Sequence, residues 1–524
     1  MTPQFDAIIV GSGPAGVSAA FPLLEAGWRV LIVDGGRQPT QAAPDTPYLD
    51  WRASDPRQWR TMIGADHHAI QGFDKASPKL RVPGHAYVFD GFRQANAIDA
   101  PGFMAVGSLA AGGLSNAWGC GVAAFDESDL RAFPFSASAL RDSYKAVAQR
   151  VGISGRADDE LAAFFGLDEW ADEPVQMDPL HARLLARHKA LASGDALFRM
   201  GRPRAAVLTR DVGARRACNA TGNCMWGCGR RALYAATEDL QVLQRHLLVQ
   251  YRPGVVVDEV RVVDGVARIS AMDGGQPVTW TARKVLLAAG TLASSRLAMQ
   301  ALNMRRNDRL QSSPTAAFML WMPAMLGQPR ADAFGLSQLA FTVQAGAGVS
   351  GYGGLFNPTG IAMAEFVRHV PLARRNGAQL LSALLGSCSI GNLFLPGTLT
   401  TTSMTLTPSG HLDISGQLHA DVAQRMREAG RILKARFLKR GAWMLPGSFT
   451  LGQPGSDIHY AASFPMAANP APGQTTPEGE LFGLPGVHVV DGASLSYLPE
   501  KPHTLTIMAN ADRIARGLAK PTLS

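Results

Sequence analysis

Apolar runs along the chain alternate with glycine turns and amphipathic stretches, and the alternation is clearest at the start. Ile8-Ile9-Val10 stops at Gly11-Ser12-Gly13-Pro14-Ala15-Gly16, an Ala-rich stretch follows, and Val30-Leu31-Ile32-Val33 ends in Asp34. This predicts strand, helix and strand over residues 5–36. Residues 40–100 are irregular and rich in Pro, Asp and Arg. An amphipathic helix is expected near 136–151, a helical insertion over 156–204, and a helix through Leu233–Leu247. A hairpin follows, with strands near Gly254–Val263 and Val266–Met272 around the favoured turn pair Asp264-Gly265. Lys284–Thr291 reads as an apolar strand ending in Ala-Gly. Alternation in Thr315–Trp321 and Leu399–Leu406 predicts an antiparallel sheet, with helices near 378–386 and 418–440 and a closing helix over Leu505–Leu518.

The opening pattern carries chemistry. In G-x-G-x-x-G, Gly11 permits a tight turn, Gly13 lets the backbone approach a pyrophosphate, and Gly16 lets the helix pack close to the strand. The helix start offers free N–H groups and a positive dipole end to phosphate. Asp34 can accept hydrogen bonds from a ribose diol. A glycine turn without a nucleotide would not explain Asp34. At this point NAD and FAD are both open.

Composition narrows the class. A chain of 524 residues is too long for one ordinary domain, and 46% hydrophobic against 18% charged residues supplies a large core. No run approaches the roughly 20 apolar residues of a membrane span, and no signal segment precedes the first strand, so a cytoplasmic location is expected. The net charge of +8 is spread thinly, without a basic run interleaved with aromatics, which argues against nucleic-acid binding. Five cysteines are too few for a disulfide scaffold of this length.

Two later segments add polar chemistry. Gly107–Gly121 is dense in glycine around Ser115, Asn116 and Trp118. The C-terminal region holds His459–Met466, then Gly486–Ser494 with Asp491-Gly492, then Lys501-Pro502-His503 before the closing helix. Together with the N-terminal turn and the strand ending Ala288-Ala289-Gly290-Thr291, these segments resemble, from end to end, the glucose-methanol-choline (GMC) family of FAD-dependent alcohol oxidoreductases. His459 to Met466 is similar to the family's H-x-x-G-T-x-x-M, with Ala462 where Gly is usual, Ser463 for Thr and Pro465 for a common Arg.

The resemblance implies an α/β fold. A Rossmann-like FAD-binding domain of the p-hydroxybenzoate hydroxylase/GMC kind would combine residues 1–155, 205–305 and 451–524. An interleaved α+β substrate domain on an antiparallel sheet would span 306–450 and roof the pocket with Phe341, Phe356, Asn357, Phe366 and Phe394. It further implies that Gly11, Gly13, Ala15, Gly16 and Asp34 hold the ADP half of FAD, with Val257 meeting adenine through its backbone. Gly112, Ser115, Asn116, Gly290, Asp491 and Gly492 would line the rest of the cofactor. His459 would take the hydroxyl proton while hydride passes to flavin N5, with His503 as its partner. A neutral imidazole suits that task, and a second polar residue steadies the developing alkoxide. His488 reads as structural.

The expected activity is oxidation of an alcohol to a carbonyl, by a dehydrogenase in preference to an oxidase, on a sugar, glycoside or other polyol. A hydrophobic or sterol-like alcohol is the alternative substrate, and a non-catalytic flavin-binding subunit the alternative role. An NAD enzyme would leave the C-terminal motifs unexplained. Electrons would pass to oxygen, a quinone or a redox protein. Cys218, Cys224 and Cys228, spaced C-x5-C-x3-C, read first as a loop of reduced thiols. Ligation of an iron–sulfur cluster, as in a similar stretch of GMC sugar dehydrogenases, is the alternative, and zinc with a fourth ligand another.

Overall fold

Phe5–Val10 and Val30–Asp34 lie parallel, with Ala7 against Val30 and Val10 against Val33. Near-continuous apolar strands suit a parallel sheet covered on both faces, and Ile8, Ile9, Leu31 and Ile32 are fully buried. Alternation divides them. Ala7 and Ile9 join one core with helices Pro14–Glu25 and Thr504–Ala519, while Ile8 and Val10 join another with helix Thr291–Ala301. The long strand Gln276–Leu287 serves two kinds of partner. Its first half pairs antiparallel with Val266–Asp273, and its second half pairs parallel with Phe5–Val10 and with Val487–Val489. Val249–Pro253 and Val256–Val263 complete a sheet of seven strands. The computed structural model describes residues 2–67, 69, 77–191, 194–346, 348–358, 367 and 370–520.

Two further sheets are built largely from the middle of the chain. Arg306–Ser312 and Thr400–Leu406 sit in a five-stranded sheet with Leu412–Leu418, Ile98–Asp99 and Tyr460–Ala461. Thr315–Trp321 belongs to a different, seven-stranded sheet with Cys388–Phe394, Ser350–Phe356, Ser337–Gln344 and three shorter strands. The two alternating runs expected to share a sheet therefore part company, because alternation marks a half-buried strand but not its partner. Helix Val422–Lys439 lays Met426, Leu433 and Phe437 on the larger of these sheets, where Phe437 meets Phe318 and Phe341.

The stretch 156–204 is not the helical insertion expected. Beside helix Pro179–Ala190 it contains Phe198–Gly201, which pairs antiparallel with Ser337–Gln344 as an edge strand. Four residues are too few for periodicity to reveal. The helix is fixed by a buried line of three side chains. Asp178 caps its start by accepting the His181 N–H at 2.9 Å, bonds the His181 ring at 2.6 Å, and that ring reaches Ser389 Oγ at 2.8 Å. The helix expected over Leu233–Leu247 is shorter, Ala236–Leu243.

Candidate active site

The glycine turn has the geometry the sequence predicts. Gly11 has φ +106°, and a Cβ there would strike Ala288 O; a Cβ at Gly16 would strike Gly11 O. Gly13 caps helix Pro14–Glu25 without a side-chain bond, and the space where its Cβ would lie is open to 4 Å. Helix Thr291–Ala301 starts in the same way after Gly290, which also faces open space. The second glycine loop comes close: a Cβ on Gly113 would lie 3.3 Å from Gly13 Cα, and Gly112 N–H donates to Ser12 Oγ at 3.0 Å. Two uncapped helix starts and an open glycine cradle fit a diphosphate-bearing cofactor such as FAD. Ala15 is buried in the first turn of the first helix.

Asp34 accepts from the Ser12 hydroxyl and, at 2.8 Å, from Tyr251. Burial raises its carboxyl above the usual range against these bonds. The backbone N–H groups of Ser12 and Gly36 also bond this carboxyl, and with roughly four acceptor positions on a carboxylate a diol would have to replace one of these partners. Val257, expected to meet adenine through its backbone, lies near the start of strand Val256–Val263. Its carbonyl accepts from the Arg296 guanidinium at 3.0 Å, whereas Val255, two residues earlier, donates its N–H to Asp34 O at 2.8 Å. Tyr251, Val255 and Arg296 carried no motif in the sequence.

Ser115 and Asn116 brace their own loop. Ser115 Oγ donates to Gly112 O and accepts from Ala236 N–H, and Asn116 Nδ2 donates to Ala111 O and Gly113 O, both at 2.8 Å. Asp491 is buried and bonded to Ser294 Oγ and Ala493 N–H; burial raises its carboxyl to about 6. A Cβ on Gly492 would strike Thr291 Oγ1, so this turn packs tightly beside Gly290.

The fold closes the 44 positions between His459 and His503 to a ring separation of 4.9 Å at 84°. His459 directly precedes the short strand Tyr460–Ala461, which pairs with Gln311 and Ser312. His503 ends the segment whose Lys501 is clamped by Asp126 and Asp129 at 2.8 and 2.7 Å, and it caps helix Thr504–Ala519. Burial lowers His459 to about 4, and burial together with His459 lowers His503 well below the usual value. Both rings are therefore neutral near pH 7 and able to accept a proton. His503 Nδ1 is buried and has no hydrogen-bond partner among the described residues. The larger antiparallel sheet contributes Phe394, whose ring centre lies 5.0 Å from that of His459. Tyr352 opposes Phe394 on the neighbouring strand, and Phe164 stacks on Tyr352 at 5.4 Å. Of the other roof residues, Phe341 is core, Asn357 donates to Asp178, and Phe366 lies outside the described residues.

The cysteine loop does not present a metal centre. Among the described residues no three His, Cys, Asp or Glu side chains form a group that could hold a metal ion. Burial raises the thiols of Cys218 and Cys224, and Cys224 accepts from Gly335 N–H at 3.3 Å. The iron–sulfur alternative finds no support in this arrangement. His488 is structural as expected, with Nδ1 bonded to Glu478 O at 3.0 Å.

No family model matches the chain, and no curated protein sequence matches it. Solved structures do. Pyridoxine 4-oxidase from Mesorbium loti superposes with a TM-score of 0.59 at 16% identity, covering 98% of each chain. A fungal aryl-alcohol oxidase superposes with a TM-score of 0.57 at 15% identity, covering 99% of each. The chain thus has the GMC-type α/β fold that it shares with these two proteins, a Rossmann-like sheet domain joined to a domain built on an antiparallel sheet. No helix among the described residues is long and apolar enough to cross a membrane.

Proposed function

We propose that the protein is an FAD-dependent enzyme that oxidises an alcohol to a carbonyl, with His459 as the proton acceptor. The observation that carries this reading is the close, buried His459–His503 ring pair in a fold shared with a pyridoxine oxidase and an aryl-alcohol oxidase. The open space at Gly13 and Gly290, with Gly113 packed against Gly13 and with Asp34 and Val255 beyond, would hold the cofactor's nucleotide half. FAD, when bound, supplies the acceptor for the substrate hydride. His459 takes the hydroxyl proton, and His503, through its unpartnered Nδ1, binds and orients the same oxygen.

The substrate we favour is an aromatic alcohol, in place of the sugar expected from sequence. Phe394, backed by Tyr352 and Phe164, offers ring faces beside His459, and such faces pack flat rings well. One structural neighbour is named for aryl alcohols, and both are named as oxidases, which favours oxygen over a dehydrogenase's acceptor. The test is anaerobic bleaching of the flavin by a panel of aryl, aliphatic and sugar alcohols, repeated with oxygen. Bleaching by aryl alcohols with peroxide formed in air is the expected result. Reduction by sugars alone would restore the polyol reading, and a colourless protein that retains no added FAD would end the proposal.

A further inference from the structure

Asp457 precedes His459 by two residues, and its side chain is fully buried. Oδ2 accepts from Ser313 N–H at 2.8 Å and stands 3.7 Å from His459 Nδ1, the Ser313 hydroxyl and the His459 N–H also face the carboxyl, and Oδ1 itself finds no hydrogen-bond partner among the described residues. Between them Ile458 has φ +61°, a left-handed conformation that a β-branched residue rarely adopts. In an extended strand, residues two apart are separated by roughly 6.5 Å. The strained residue tightens the chain and brings carboxyl and imidazole together, as strain often does at functional sites. Tyr460, next along, spends its hydroxyl on Met104 O, Gly455 O and Val106 N–H, so it does not satisfy the carboxyl.

We propose that Asp457 is the positioning residue for His459: it holds the Nδ1 side of the ring and supplies a counter-charge when the ring accepts the alcohol proton. The proposal rests on the alcohol-oxidising reading above. With Nδ1 facing Asp457, Nε2 is left to meet the hydroxyl. A proton taken up beside a carboxylate leaves a neutral imidazolium–carboxylate pair, whereas one taken up beside a carboxylic acid leaves a lone buried cation. Burial pushes the Asp457 carboxyl well above the usual range, so the carboxylate forms only as pH rises. The titratable groups around the pair are His503, from the C-terminal helix, and Tyr460; Phe394 and Ser313 complete the surroundings.

The test compares native and Asp457→Asn protein, both loaded with FAD. For the variant we expect kcat to fall about tenfold, a fraction of the roughly 10²–10⁴-fold at stake in general-base catalysis, with KM little changed. Without the counter-charge, the rising limb of its pH profile should lie at lower pH than the native limb. Proton NMR of the His459 ring gives a second readout: two titration steps in native protein, one in the variant. If Asp457→Asn does not fold, Asp457→Ser serves with the same readouts. An unchanged pH limb and an unchanged His459 titration would overturn the proposal, whatever the rate. If no alcohol reduces native protein, the alcohol reading falls, yet the NMR comparison still decides whether the two residues are coupled.

Discussion

A histidine that must accept a proton at neutral pH has to arrive without one, and burial secures this for both His459 and His503. Replacing His459 with Ala should lower kcat by roughly 10²–10⁴-fold while the flavin spectrum of the loaded protein stays the same; stopped-flow flavin reduction measures this. An unchanged reduction rate would remove His459 from the chemistry. These two residues were legible because each lies in a recognisable local pattern. Asp457 was not, because an acid in a turn looks like an ordinary solvated residue until Ser313 and His459 are folded against it. The neighbour of Asp34 was hidden for a related reason. Val255, Val256 and Val257 satisfy the same strand pattern, and only the fold shows that the Val255 N–H meets the Asp34 backbone carbonyl.

Elements carry their own costs. Ala462 has φ +64° and is fully buried, at the position where the family motif has glycine. The left-handed conformation costs about 1–2 kcal/mol for a residue with a Cβ, and glycine returns about 0.5–1 kcal/mol of that as backbone entropy. Removing the buried methyl costs a further ~0.8 kcal/mol, so Ala462→Gly should leave stability within about 1 kcal/mol of native, read as a near-native urea midpoint at unchanged slope. The Asp178–His181–Ser389 line is a contrasting case. Burial alone would raise the Asp178 carboxyl, but the His181 partner outweighs it and holds the carboxyl low. His181→Ala leaves a buried carboxylate short of its partner and should cost about 3 kcal/mol. Ser389→Ala, which removes one neutral bond, should cost about 1 kcal/mol. Equal losses in the two variants would contradict this account. Helices and strands such as Thr315–Trp321 were readable from periodicity. Which sheet each strand joins was not, since that depends on partners up to hundreds of residues away.

For the whole molecule, the cofactor and the fold should stabilise each other. A ligand held only by the folded chain adds about 2.7 kcal/mol at a hundredfold excess over its Kd, so FAD should raise the thermal midpoint in a concentration-dependent way. ADP should give part of that shift if Asp34 and the glycine turn bind the nucleotide half. A midpoint indifferent to both would show that this end of the molecule is not a nucleotide site. The overall architecture was legible because G-x-G-x-x-G and the C-terminal turns are each tied to a defined backbone geometry. The division of the middle region into two sheets was hidden by its uniform alternation.

The sheet that begins with Phe5–Val10 receives Val487–Val489 against Gln276–Leu287, made far earlier, and Thr504–Ala519 then covers the helix that follows the first strand. Synthesis at roughly 5–20 residues per second puts about 20–90 s between Asp34 and Val487 leaving the ribosome. Throughout that interval the first βαβ unit exists with an uncovered apolar flank and no histidine pair. On the proposed function, flavin capture would therefore be a late event in the life of the nascent chain. Slow production, or a chaperone that shields Pro14–Glu25 until the last helix arrives, should raise the fraction of chains that end up yellow.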